Sequence, residues 1–163
     1  MKNFKIEIKW AFIFIIMMLL WMVLEKLAGL HDKNIEYHPV YTNLVAIPAV
    51  IIYILALKDK RENFYNAQMT YKQGFISGLI ITLIVTIFSP LSQYIISEFI
   101  TPDFFTNMIS YAVKEGKMTQ ADAENYFNLK SYIIQVLIGT PVMGIITTAV
   151  VAFFIKTGKK TKQ

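Results

Sequence analysis

The chain has no cysteine, and its 163 residues include only two histidines, five prolines and seven glycines. Without cysteine there is no disulfide framework and no thiolate metal site. The glycines are scattered, so no loop is rich enough in them to cradle a phosphate group. Charge is also missing where the chain is most apolar: residues 40–57, 74–97 and 131–155 contain no Asp, Glu, Lys or Arg. Proton relays, ion paths and intramembrane metal sites ordinarily need ionisable side chains at depth. Their absence from three long segments argues against an enzyme, and neither a cofactor nor a metal is expected.

What is present is oil in long blocks. The composition is 55% hydrophobic with a net charge of +5, and the basic residues flank the apolar blocks instead of forming a groove-binding element. They read as membrane-flanking charges, and no nucleic-acid partner is expected. Residues 10–24, "WAFIFIIMMLLWMVL", begin a fourth block whose helical flanks extend it to about 6–28. A bilayer-crossing helix needs roughly 20 mainly apolar residues, and unpaired backbone groups in lipid force such segments to be helical. The expected fold is therefore all-α: one transmembrane domain over residues 1–163, with spans at about 6–28, 40–57, 74–97 and 131–155 and connections that include residues 58–73. Pro48, Pro90 and Pro141 lie inside spans. The first block follows Lys2, Lys5 and Lys9, as a secretory signal would. Cleavage after Ala28 would put Lys26 where a small residue is wanted, so an uncleaved span is expected.

Basic residues set the orientation. Lys2, Lys5, Lys9, Lys58, Lys60, Arg61, Lys72, Lys156, Lys159, Lys160 and Lys162 fall on one side, eleven in all, against five on the other: Lys26, Lys33, Lys114, Lys117 and Lys130. The positive-inside rule puts both termini in the cytoplasm, and the basic surplus then faces anionic membrane lipid. Residues 101–130 become an extracytoplasmic helical hairpin between the third and fourth spans. Thr101 is expected to cap its first helix, with Pro102 and Asp103 in the first turn. Phe104, Phe105, Met108, Ile109 and Ala112 share a face, which either covers the bundle top or membrane surface or offers a docking surface to a partner. Asn107, Ser110 and Lys114 should face water. Thr119 and Asp122 suggest a second cap, followed by a helix that could run straight into the fourth span.

Two spans carry a stripe of small residues. Gly74, Gly78, Thr82 and Thr86 recur every four positions, as do Thr140, Gly144, Thr148 and Ala152. Such faces let helices approach closely in lipid. The antiparallel register expected puts Gly78 near Ala152, Thr82 near Thr148 and Thr86 near Gly144, with Pro90 and Pro141 at similar depth and Ile84 facing lipid. The stripe is either a packing seam or a polar lining for a lipid headgroup or solute. Glu25 and Lys26 are expected to end the first span as an interfacial ion pair. His31 and His38, with Asp32 and Glu36 between them, do not form a compact metal motif. Gln93 and Gln135 are the best isolated polar residues near membrane depth.

The runs "TPDFFTNMISYAVKEGKMTQADAENYFNLKSY", "GTPVMGIITTAVVAFF" and "TYKQGFISGLIITLI", with the lysine-rich start, resemble a family of small four-span membrane proteins of unknown function common in Gram-negative Bacteroidota. The resemblance implies an inner-membrane location and no established activity, and it carries over no catalytic residues. Family members are often encoded near a polyprenol-phosphate sugar synthase. Two functions are therefore expected as alternatives. One is a non-enzymatic membrane subunit or scaffold, as a homo-oligomer or with a membrane protein partner. The other is a small component of lipid or lipid-linked-sugar translocation working with a polyprenol-phosphate glycosyltransferase.

Overall fold

A computed structural model describes residues 4–157. The chain is all-α, and no strand occurs among the described residues. Four helical segments are long and apolar enough to cross a membrane: Lys5–Leu27, Ile35–Asn63, Tyr71–Ile100 and Leu129–Ile155. The first is helix α1 (Lys5–Leu27). The second begins with a 3₁₀ turn (Ile35–Tyr37), helix α2 (His38–Tyr41) and another 3₁₀ turn (Thr42–Val45), and continues as α3 (Ala46–Asn63). The third is α4 (Tyr71–Ile95), closed by a π turn at Ile96–Ile100. Helices α5 (Phe104–Lys114) and α6 (Gln120–Tyr126) precede the fourth, α7 (Leu129–Ile155).

Charged residues 58–63 belong to α3, so only residues 64–70 connect α3 to α4, instead of the expected 58–73. The helix keeps going because Lys60 and Arg61 find partners: Arg61 Nη1 donates to the Ile155 carbonyl at 3.1 Å, a cation at the carbonyl end of α7. Met69 exchanges hydrogen bonds with Thr157 through its N–H and C=O (3.1 and 2.8 Å), tying the 64–70 connection to the same helix end. This end of the bundle, where the described residues begin and end, is called the terminal end below; the opposite one is the hairpin end. Lys2, Lys159, Lys160 and Lys162 lie outside the described residues.

Local signals account for the helix boundaries. Thr70 and Gln73 form a capping box at the start of α4: the Thr70 hydroxyl accepts from Gln73 N–H at 3.3 Å, and Thr70 N–H donates to Gln73 Oε1 at 2.8 Å. Thr119 caps α6 through Asp122 N–H at 3.2 Å. Thr101 does not cap α5; its hydroxyl donates to the Ile96 carbonyl at 3.2 Å and closes the π turn, leaving Asp103 at the cap position. Helix α6 does not run into α7. Asn128 is extended (φ −148°, ψ 161°), and its side chain caps α7 by accepting from Ser131 N–H at 2.9 Å. Pro90 cannot donate to the Thr86 carbonyl, and the Ser89 hydroxyl does so instead at 2.9 Å.

Helices α4 and α7 form the closest pair, with α1 against α4 and α3 bridging α1 and α7. Gly78 faces Thr148, Thr82 faces Gly144, and Gly74 faces Ala152. This register lies one turn from the expected one. The reason is volume: Thr opposite Gly fills the space a missing side chain leaves, whereas the expected register would have set Thr82 against Thr148. Pro90 and Pro141 are consequently about a turn apart in depth. Ile84 is half-buried against the core instead of facing lipid.

Candidate functional site

Ionisable groups gather at both ends of α1, and each cluster is built on one buried carboxylate. Glu7 and Glu25 are 1% and 3% exposed. They are eighteen residues apart, five turns at 3.6 residues per turn, so both point from the same face of α1. That face turns toward the bundle.

At the terminal end, Glu7 meets Lys60 of α3 and Ser77 of α4. Lys60 Nζ stands 2.9 Å from Glu7 Oε1 and 3.0 Å from Oε2, and the Ser77 hydroxyl donates to Oε1 at 2.7 Å. The ammonium also lies 3.7 Å from the centre of the Phe64 ring. A buried ion pair survives desolvation only when such contacts satisfy its remaining donors and acceptors. Next to it, Asp59 accepts from Lys9 and, at 2.7 Å, from the Trp10 indole.

At the hairpin end, Glu25 is the hub. Its Oε1 accepts from the Trp21 indole one turn earlier. Its Oε2 lies 3.1 Å from His31 Nε2 and 3.5 Å from His38 Nε2. The fold-back that brings His31 under Glu25 is a helix C-terminal motif. Gly29 takes φ +73°, its N–H donates to the Lys26 carbonyl at 2.9 Å, and Leu30 N–H donates to the Glu25 carbonyl at 3.0 Å. His38 arrives on the first turn of α2. Phe104 of α5 packs on both imidazoles, with ring centres 5.0 and 4.9 Å away, and Asn107 donates to the His31 carbonyl at 2.9 Å. His31 Nδ1 is buried without a hydrogen-bond partner.

The expected interfacial pair of Glu25 and Lys26 does not form. Consecutive helical residues point about 100° apart: Glu25 turns inward, while Lys26 is exposed and donates to the Ile100 carbonyl at 2.6 Å, closing the π turn. The apolar face of α5 is not an open docking surface. Phe104 and Met108 are buried and Phe105 and Ile109 half-buried against Ala123, Phe127, Tyr132 and Ile35, because α6, the start of α7 and the 3₁₀ turn cover them. Asn107 is half-buried by its bond to His31, while Ser110 and Lys114 are exposed.

The stripe residues line the α4–α7 contact. Thr82 Oγ1 donates to the Gly78 carbonyl at 3.0 Å, so the Tyr53 hydroxyl, 2.7 Å away, donates to Thr82. Thr86 donates to the Thr82 carbonyl at 2.8 Å. Thr148 Oγ1 is buried without a partner, and Thr140 is half-buried. Gln93 is buried and donates to Ser97 Oγ at 3.0 Å; Gln135 is exposed and donates to Ser131 Oγ at 3.1 Å.

Composition missed Glu7 because it lies in the flank of the first block, ahead of the 10–24 core, and Lys60 because it lies just beyond the second block. The five-turn spacing between the two α1 acids was the available signal. His31 and His38 were visible, but their convergence depends on Gly29 reversing the chain.

Four apolar helical segments, with ionisable groups buried in clusters at the ends, define a multi-pass all-α membrane protein. The chain matches the DUF4199 family, described as "Protein of unknown function (DUF4199)", over residues 9–157 and belongs to that family. No curated protein and no solved structure matches it.

Proposed function

We propose that this chain is a non-enzymatic subunit of the bacterial inner membrane, a scaffold that acts through assembly with lipid and with either a second copy of itself or another membrane protein. The filled α4–α7 seam carries this reading. An added Cβ at Gly78 would stand 3.0 Å from Thr148 Cβ, and one at Gly144 would stand 3.0 Å from Thr82 Cβ. A stripe packed that closely leaves no room for a headgroup, so the threonines act as helix contacts and not as the lining of a path. The Glu7–Lys60 pair consumes charge at the terminal end in the same way.

The eleven-to-five division of basic residues favours cytoplasmic termini and an extracytoplasmic α5–α6 hairpin. Purification in mild detergent, followed by mass spectrometry of the intact assembly, tests the subunit reading. The expected result is a homo-oligomer or a stoichiometric protein partner carrying ordinary membrane lipid. A bound polyprenyl lipid together with a glycosyltransferase would replace this reading with lipid-linked-sugar translocation.

A further inference from the structure

We propose that Glu25, His31 and His38 form a binding site for a divalent transition-metal ion of the zinc class, at the hairpin end of the bundle. One donor atom from each residue lies within 4.8 Å of the other two. Around a tetrahedral ion with bonds of about 2.0–2.1 Å, neighbouring donors stand about 3.3–3.4 Å apart. The two imidazole Nε2 atoms lie 3.1 and 3.5 Å from Glu25 Oε2, on either side of that value.

The ligand chemistry selects the ion. Two neutral imidazoles and one carboxylate suit zinc and its transition-metal neighbours, whereas magnesium and calcium want oxygen donors throughout. With no cysteine in the chain, thiolate-selective ions are disfavoured. Three protein ligands leave a fourth position for solvent or another ligand.

The surroundings match those of a metal centre. Metal-bound carboxylates are themselves held by outer hydrogen bonds, and the Trp21 indole holds Glu25. Phe104 packs on both rings and fixes their planes. His31 reaches Glu25 through Nε2, the nitrogen that a ligating imidazole would offer the ion. The ion would join the end of α1, the fold-back after Gly29 and the start of α2 beneath α5, stiffening the hairpin end.

The test uses full-length protein in detergent, carrying a purification tag free of histidine because the chain's only two histidines are the proposed ligands. After treatment with EDTA, Zn²⁺ is titrated against a chromophoric chelator. One saturable equivalent per chain is expected, weakened at least tenfold in His38→Ala and in His31→Gln and unchanged in the neighbouring Asp32→Asn and Glu36→Gln. Equal binding by the histidine variants, or no binding by the parent protein, overturns the proposal. Should the histidine variants fail to fold, Trp10→Phe leaves Trp21 as the sole indole. Co²⁺ should then quench its emission at one equivalent, with recovery on adding EDTA. Quenching that does not saturate overturns the proposal as well.

Discussion

Glu7 and Lys60 show how a single pair can hold a lipid-facing helix. Among the residues of α1, only Glu7, Ala11 and Glu25 are buried, with Trp10, Phe14 and Ile15 half-buried against the core, so polar contacts hold its two ends and apolar ones its middle. Removing one member of a buried pair strands the other charge, at a cost of about 3–5 kcal/mol, while replacing both by apolar groups of similar volume is often neutral. Glu7→Gln should therefore unfold in detergent at a markedly lower temperature than the parent. Glu7→Leu combined with Lys60→Met should recover most of the loss. A double variant as unstable as the sum of its single changes would show that the pair is not coupled. Neither residue stood out in the sequence, because apolar blocks are defined by where charges stop and both charges sit at such an edge. Lys60 pairs with Glu7 across 53 residues of chain, a distance no local pattern reports.

Helices were legible wherever lipid leaves the backbone no alternative. The four spans appear where the apolar blocks are, lengthened by turns whose capping residues also lie in the sequence, such as Thr70 with Gln73. Register was less legible: a four-residue repeat on both helices fixes which faces meet but permits pairings that differ by a whole turn. The observed pairing yields a graded expectation. Overpacking a tight contact costs about 1–3 kcal/mol, so Gly78→Val and Gly144→Val should each lower the unfolding temperature in detergent. Gly139→Ala should not, because nothing lies within 4 Å of a Cβ there. If all three behave alike, the seam does not run where Gly78 and Gly144 put it. The α5 helix supplies a second test. Single cysteines, free of background because the chain has none, should react with a membrane-impermeant thiol reagent at positions 110 and 114. Positions 104 and 108 should stay protected, with 107 between the two. Labelling applied to intact spheroplasts also reports sidedness: modification only after lysis would reverse the proposed orientation. The sequence showed which α5 residues share a face, but not that α6, the start of α7 and the turn at Ile35 would cover it, since those contacts depend on tertiary packing.

At the scale of the whole molecule, α4 and α7 form the spine, α1 packs on α4, α3 bridges α1 and α7, and the α5–α6 hairpin closes one end over the two histidines. The architecture was readable from composition, whereas the clusters at its two ends were not, because each draws residues from segments far apart in the chain. Glu7 and Glu25, eighteen residues apart, stand about 27 Å apart along α1 at 1.5 Å per residue. Each is clipped to other helices, and the hydrocarbon core of a bilayer is about 30 Å thick. The spacing ties the stability of α1 to membrane thickness: a thicker bilayer would pull its two clips further into hydrocarbon, and a thinner one would draw the apolar surface between them into water. Stability measured in vesicles of increasing acyl-chain length should pass through a maximum near the matching thickness, and Glu25→Gln should flatten that maximum by releasing one end. A response that stays level across chain lengths in the parent protein would mean that α1 adjusts by tilting, and that its two carboxylates do not measure the bilayer.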